Sequence, residues 1–137
     1  MKYLKLFDNR EEPKYSINIG DIELFFKSTK YRRGVVSPEW NEIVPDMEWD
    51  AIDLITIFLR KTLLGKHILI NDYLFNQKEV QQIDVKLQGE EFVYYFLLDD
   101  DSWVYPSAHN TIDIFNEIPE ESKKIIAKIN IQKRFDL

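Results

Sequence analysis

Gln82-Ile83-Asp84-Val85-Lys86-Leu87, then Gln88-Gly89-Glu90, then Phe92-Val93-Tyr94-Tyr95-Phe96-Leu97-Leu98 reads as two strands joined by a turn. Ile83, Val85 and Leu87 alternate with polar residues, the period of a half-buried strand. Phe92–Leu98 is apolar on both faces, which predicts an interior strand covered above and below. Asp99-Asp100-Asp101 supplies the next turn, and Ser102–Tyr105 returns as a third strand. An antiparallel sheet is therefore the frame.

Upstream, Asp46 is a fitting N-cap for a helix over 47–64. Acids (Glu48, Asp50, Asp53) stand early in it and Arg60 and Lys61 late, with Gly65 at the position after the end. Trp49, Ile52, Ile55, Leu59 and Leu63 form one stripe, and Leu54 and Phe58 a second. The helix is thus apolar nearly all round and predicted to be central, with cover on two sides. His67 leads from Gly65-Lys66 into a strand at Ile68–Ile70. Pro119, Glu120 and Glu121 open a C-terminal helix over 119–133, with Lys123, Lys124 and Lys128 following. The first third reads as a small meander. Its strands are Tyr3–Phe7, Tyr15–Ile19, Ile22–Lys27 and Tyr31–Val36, with turns at Gly20-Asp21 and Ser28-Thr29-Lys30. The expected fold class is α+β, a mostly antiparallel sheet packed against a central and a C-terminal helix in roughly two layers.

The 137 residues suit one domain over 1–137. An apolar fraction of 45% with 14% aromatics is enough for a core. The absence of cysteine excludes disulfides, thiolate zinc sites, iron–sulfur clusters and thiol nucleophiles. Met1–Asp8 has neither the long apolar core nor the small-residue cleavage site of a signal peptide. The apolar run Leu54–Leu59, broken by Thr56, is far too short to span a bilayer. The cytoplasm is the expected compartment.

Catalytic chemistry finds few candidates. His67 and His109 would have to converge to act as base and acid, and the sequence places one after a helix end and the other in the loop Pro106–Asn110. Asp99–Asp101 lacks the alternating acids, glycine and distal glutamate of a calcium loop, so a solvated hairpin turn is the simpler reading. There is no nucleophile elbow, no phosphate-cradling glycine loop and no HExxH pair. The expectation is a non-enzyme with no catalytic residue, metal or cofactor.

Charge is more informative. The net charge of −6 argues against nucleic acid as a partner. Between Arg33 and Arg60 stand six acids and no base: Glu39, Glu42, Asp46, Glu48, Asp50 and Asp53. Between Lys86 and Lys123 stand nine: Glu90, Glu91, Asp99, Asp100, Asp101, Asp113, Glu117, Glu120 and Glu121. Trp40, Trp49, Trp103, Tyr94, Tyr95 and Tyr105 are interleaved with them. Acids at helix starts and in turns are locally favoured, and the aromatics also suit a core. An acidic face studded with aromatics would equally recognise a basic protein, the charges steering the encounter and the rings anchoring it.

In this overall character, and in Leu97-Leu98-Asp99-Asp100-Asp101-Ser102-Trp103-Val104-Tyr105, the chain resembles bacterial toxin-immunity proteins of contact-dependent and other polymorphic toxin systems. The resemblance implies a stoichiometric inhibitor that caps a toxin domain, often a basic nuclease, without chemistry of its own. Charge and aromaticity then nominate Asp99, Asp100, Asp101, Trp103 and Tyr105 as partner-binding, with Glu48, Trp49 and Asp50 at the start of the central helix. A nucleic-acid mimic, an acidic secretion chaperone and an enzyme using His67 and His109 are the other readings. The partner's identity and the oligomeric state stay open.

Overall fold

The computed structural model of the chain describes residues 12–27 and 51–135, and the strand around Ile83 is part of a larger sheet. The strands are β1 (Tyr15–Asn18), β2 (His67–Ile70), β3 (Lys78–Gln88), β4 (Glu91–Leu98), β5 (Trp103–Val104) and β6 (Thr111–Ile114). The helices are α1 (Ile19–Lys27), α2 (Ala51–Leu63) and α3 (Glu120–Phe135). The six strands form one sheet in the order β1-β6-β2-β3-β4-β5, each neighbour antiparallel to the next. The fold is α+β, as the sequence predicts.

The β3–β4 hairpin turns at Gly89-Glu90, with Gln88 opposite Glu91. Gly89 has φ +63° at the first central position, a conformation that glycine adopts without steric penalty. A register shift between Val80 and Gln82 bends β3. Before it Glu79 and Lys78 pair with β2; from Val80 onward the partner is β4. Gly65, at φ +76°, ends α2 and donates its amide to the Val80 carbonyl at 2.9 Å, so the helix end is tied to β3 where the strand bends.

Ile68, Ile70, Ile112, Ile114, Tyr94, Phe96 and Leu98 point to one face of the sheet and are fully buried. They join Leu54, Ile55, Phe58, Leu59 and Leu63 of α2, and residues from α1 and α3, in one apolar cluster. All three helices therefore contribute to a single layer, and α2 packs on β3 with α1 and α3 beside it. The opposite face of β4 (Val93, Tyr95, Leu97) is only half-buried. The expectation that this strand is covered on both faces is corrected: among the described residues, one helical layer covers one face and Val93, Tyr95 and Leu97 stay half-buried. No helix among the described residues is long and apolar enough to cross a membrane.

Ile22–Lys27, expected as a strand, belongs to α1, and Gly20-Asp21 lies in its first turn rather than in a hairpin. Ile19, Ile22, Phe25 and Phe26 share the buried side of that helix at helical spacing. Asn18 caps it, its Oδ1 accepting the Asp21 amide at 3.1 Å. Gly20 is required because a Cβ there would stand 2.7 Å from the Ala108 carbonyl oxygen. Burial of Phe25 and Phe26, the latter against Phe58 of α2, outweighs the β propensity of the run. The strand β1 forms where expected but pairs with β6, distant in sequence, rather than within a meander. Tyr3–Phe7, Tyr31–Val36, the turn at 28–30 and Asp46 lie outside the described residues.

Candidate binding face on the sheet

The β4–β5 hairpin places most of the nominated residues together. Its turn is built by Asp100, whose Oδ1 accepts both the amide and the hydroxyl of Ser102. The other carboxylate oxygen meets Lys78 Nζ at 3.4 Å. These donors, Ser102 first and Lys78 after it, hold the Asp100 carboxyl below its ordinary range. Asp101 adopts φ +64° and its amide donates to the Leu98 carbonyl at 3.0 Å, closing the turn. Asp99 donates its amide to the Glu79 carbonyl at 3.0 Å. The three acids are therefore not equivalent. Asp100 is a structural part of the turn, whereas Asp99 and Asp101 are bound through their backbones and are both exposed.

Beyond the turn, Trp103 opposes Leu97 on the face away from the three described helices, and Tyr105 lies one alternation further along. Trp103 is 41% and Tyr105 51% exposed. Tyr105 packs edge-on against Tyr95 with ring centroids 5.4 Å apart, and Lys86 Nζ stands 5.3 Å from the centre of the Tyr95 ring. Tyr73, from the β2–β3 loop, donates its hydroxyl to the Tyr105 carbonyl at 2.9 Å. Tyr73 is itself 45% exposed. Tyr105 thus rests on Tyr95, Trp103 stands opposite Leu97, and Tyr73 is tied to the Tyr105 backbone, with the exposed carboxylates of Asp99 and Asp101 in the adjoining turn. Tyr73 was not nominated by the sequence, because only the fold brings residue 73 to residue 105. Glu48, Trp49 and Asp50 lie outside the described residues.

The acids of the wider run do not form one face. Glu117 accepts from Tyr15 at 2.9 Å and meets Lys123 at 3.2 Å and Lys14 at 3.5 Å, and its carboxyl is held low by them. Glu120 also pairs with Lys123, at 3.2 Å, and Asp113 accepts the Ser16 hydroxyl at 2.6 Å. Glu90 and Glu91 stand at the opposite end of β4 from Asp99, roughly 24 Å away along the strand. Tyr94, one of the interleaved aromatics, is core.

His67 and His109 do not converge. His67 begins β2, where Nδ1 is 3.3 Å from Asn116 Oδ1, while His109 precedes β6 at the other end of the β2–β6 pairing. Among the described residues, no group of three or more metal-ligating side chains is assembled. No known sequence family matches the chain, and no curated protein or solved structure matches it either.

Proposed function

We propose that this protein is a binding module of the immunity type, which caps a basic partner domain, such as a toxin nuclease, through the face carrying Tyr73, Trp103 and Tyr105. The observation that supports this reading is the exposure of three large aromatic side chains, Trp103 and Tyr105 at the β4–β5 hairpin and Tyr73 tied to the Tyr105 backbone. Such side chains in the centre of an interface supply most of its binding energy at little entropic cost. Asp99 and Asp101 at the rim add a negative field that steers a basic partner and makes the association rate fall with salt. The bound partner is inhibited by being covered, and no reaction on this chain is needed.

The test is capture from the native host with the tagged protein, run beside two variants. In Trp103→Ala/Tyr105→Ala the rings are removed; in Asp99→Asn/Asp101→Asn the charges are removed while the turn residue Asp100 is kept. One basic protein is expected at equal stoichiometry with the wild type. The ring variant is expected to lose it, and the charge variant to associate more slowly. Capture undiminished by the ring variant overturns the assignment of this face. Many nucleic-acid enzymes released together by salt would instead identify a nucleic-acid mimic.

A further inference from the structure

Tyr73 and Tyr105 stand 32 residues apart in the chain, and one hydroxyl-to-carbonyl bond joins them at the surface. A single exposed bond of this kind adds little, because water competes for both groups. What holds the two segments together lies beneath it. Two residues before Tyr73 is Asn71, and two residues after Tyr105 is Ser107. The side chain of one buried residue, Asn110, binds both.

Asn110 is 5% exposed. Its Oδ1 accepts the Ser107 amide at 2.7 Å and the Ser107 hydroxyl at 3.2 Å. Its own amide donates to the Ser107 carbonyl at 3.0 Å, which closes a turn over 107–110. On the other side, Asn110 Nδ2 donates to the Asn71 carbonyl at 3.0 Å. The Asn110 carbonyl accepts the Ile19 amide at 3.1 Å, so this residue is also fixed against the start of α1. From each end of the clasp the order runs outward to an exposed ring. Pro106 is buried and disfavours helical backbone at Tyr105 before it. The Asn71 amide donates to the Thr111 carbonyl at 3.1 Å, and Asn71 Oδ1 accepts the Thr111 amide. The amides of Tyr73 and Leu74 then close on the Ile70 carbonyl at 3.1 and 3.0 Å.

We infer that Asn110 is the positioning residue of the aromatic face, its carboxamide setting where Tyr73 stands relative to Tyr105 although it is itself buried. The place calls for a side chain that accepts on one side and donates on the other, and buried polar atoms of this kind need both partners. Asparagine meets the demand with one planar group. Aspartate has the same shape but lacks the donor, and it would set an oxygen against the Asn71 carbonyl oxygen. Rings fixed in advance lose less freedom when a partner arrives. That consequence rests on the role proposed for Tyr73, Trp103 and Tyr105. The positioning itself does not, and it is read on the free protein.

Nuclear magnetic resonance of the free protein, with amide exchange and isotope-labelled tyrosine rings, tests it. In Asn110→Asp the amides of Tyr73 and Leu74 are expected to exchange roughly tenfold faster relative to the interior amides of β4, the effect of one lost buried hydrogen bond. The Tyr73 Cζ resonance should move to the position of a solvent-exposed tyrosine as its bond to Tyr105 is lost. Tyr73→Phe removes only the surface bond at an exposed site, and its amides at 71–74 should exchange within about twofold of the wild type. This second variant decides the matter by itself where Asn110→Asp is too unstable to measure. An acceleration in Asn110→Asp no greater at Tyr73 and Leu74 than in β4, or an unmoved Tyr73 resonance, overturns the inference. A loop loosened by Tyr73→Phe tenfold or more does so as well, since the surface bond would then be the tie. No partner is present in these measurements, so a failed capture bears on the proposed function and leaves this result standing.

Discussion

The hydroxyl of Tyr94, on the covered face of β4, donates to the carboxylate of Glu23 on α1 at 2.7 Å. This bond crosses from sheet to helix beside the apolar cluster, and Lys27 approaches the same carboxylate at 3.6 Å. Burial first, then the hydrogen bond and the charge of Glu23, push the Tyr94 phenol far above the ordinary tyrosine range.

That shift has an alkaline consequence. The folded value is raised, so the stability from Tyr94 is fully present below the unfolded tyrosine pKa of about 10 and is lost as pH rises above it. Urea unfolding at stepped pH should show stability falling above about pH 10. Tyr94→Phe should flatten that fall while costing about 1–2 kcal/mol at neutral pH, through the partner left at Glu23. An equal alkaline slope in both proteins would remove Tyr94 from this role.

In the β4–β5 turn the sign is opposite. The lowered Asp100 carboxyl contributes stability above the unfolded aspartate pKa, and that contribution disappears as pH falls through its lowered folded value. Asp100→Ala should therefore lower the melting temperature and reduce the acid sensitivity. Asp99→Asn, at a residue held in the turn through its backbone amide, should leave the melting temperature unchanged. Asp101, at positive φ, tolerates glycine, but Asp101→Val should cost about 1–2 kcal/mol.

Arg60 guards a strand edge. Past the bend β3 no longer pairs with β2, and Arg60 Nε donates to the Ile83 carbonyl at 2.9 Å while Nη2 holds Asp84 at 2.9 Å. The ion pair is half exposed and stabilises little by itself. The larger effect is to cover an edge group that would otherwise template another strand. Arg60→Ala should leave the fold intact but accelerate aggregation seen by light scattering, and Arg60→Lys should rescue it incompletely, since one ammonium does not reproduce the planar fork.

Between α2 and α3, the buried hydroxyls of Thr62 and Ser122 are 2.7 Å apart. Thr62→Val leaves the Ser122 hydroxyl without this partner and should cost about 1–3 kcal/mol in urea unfolding. Adding Ser122→Ala should recover part of that loss. A double variant no better than the additive sum of the two singles would show that the hydroxyls are not coupled.

The β3–β4 hairpin and the two longer helices were legible because each is specified locally. Ile83 and Val85 alternate, Gly89 meets a turn that needs its conformation, and Glu120 and Glu121 open a helix. Two elements were not. Ile22–Lys27 is rich in β-formers, and its helical state depends on burying Phe25 and Phe26, the latter against Phe58 of α2, and on the cap from Asn18. Thr111–Ile114 is too short to announce itself, and it becomes a strand because β1 and β2 pair with it on either side.

For the candidate face, the sequence supplied its chemistry: the adjacency of Asp99, Asp101, Trp103 and Tyr105 is a property of seven consecutive residues. Which of those groups stay available was decided in three dimensions. Lys78 and Ser102 claim Asp100, Lys14 and Lys123 claim Glu117, and Tyr94 is turned into the core while Tyr73 is carried up to Tyr105. The physical reason is that periodicity, capping and turn conformation act over a few residues and are written in the chain, whereas burial, ion pairing and strand partnership are pairings between distant residues that exist only after the sheet has formed.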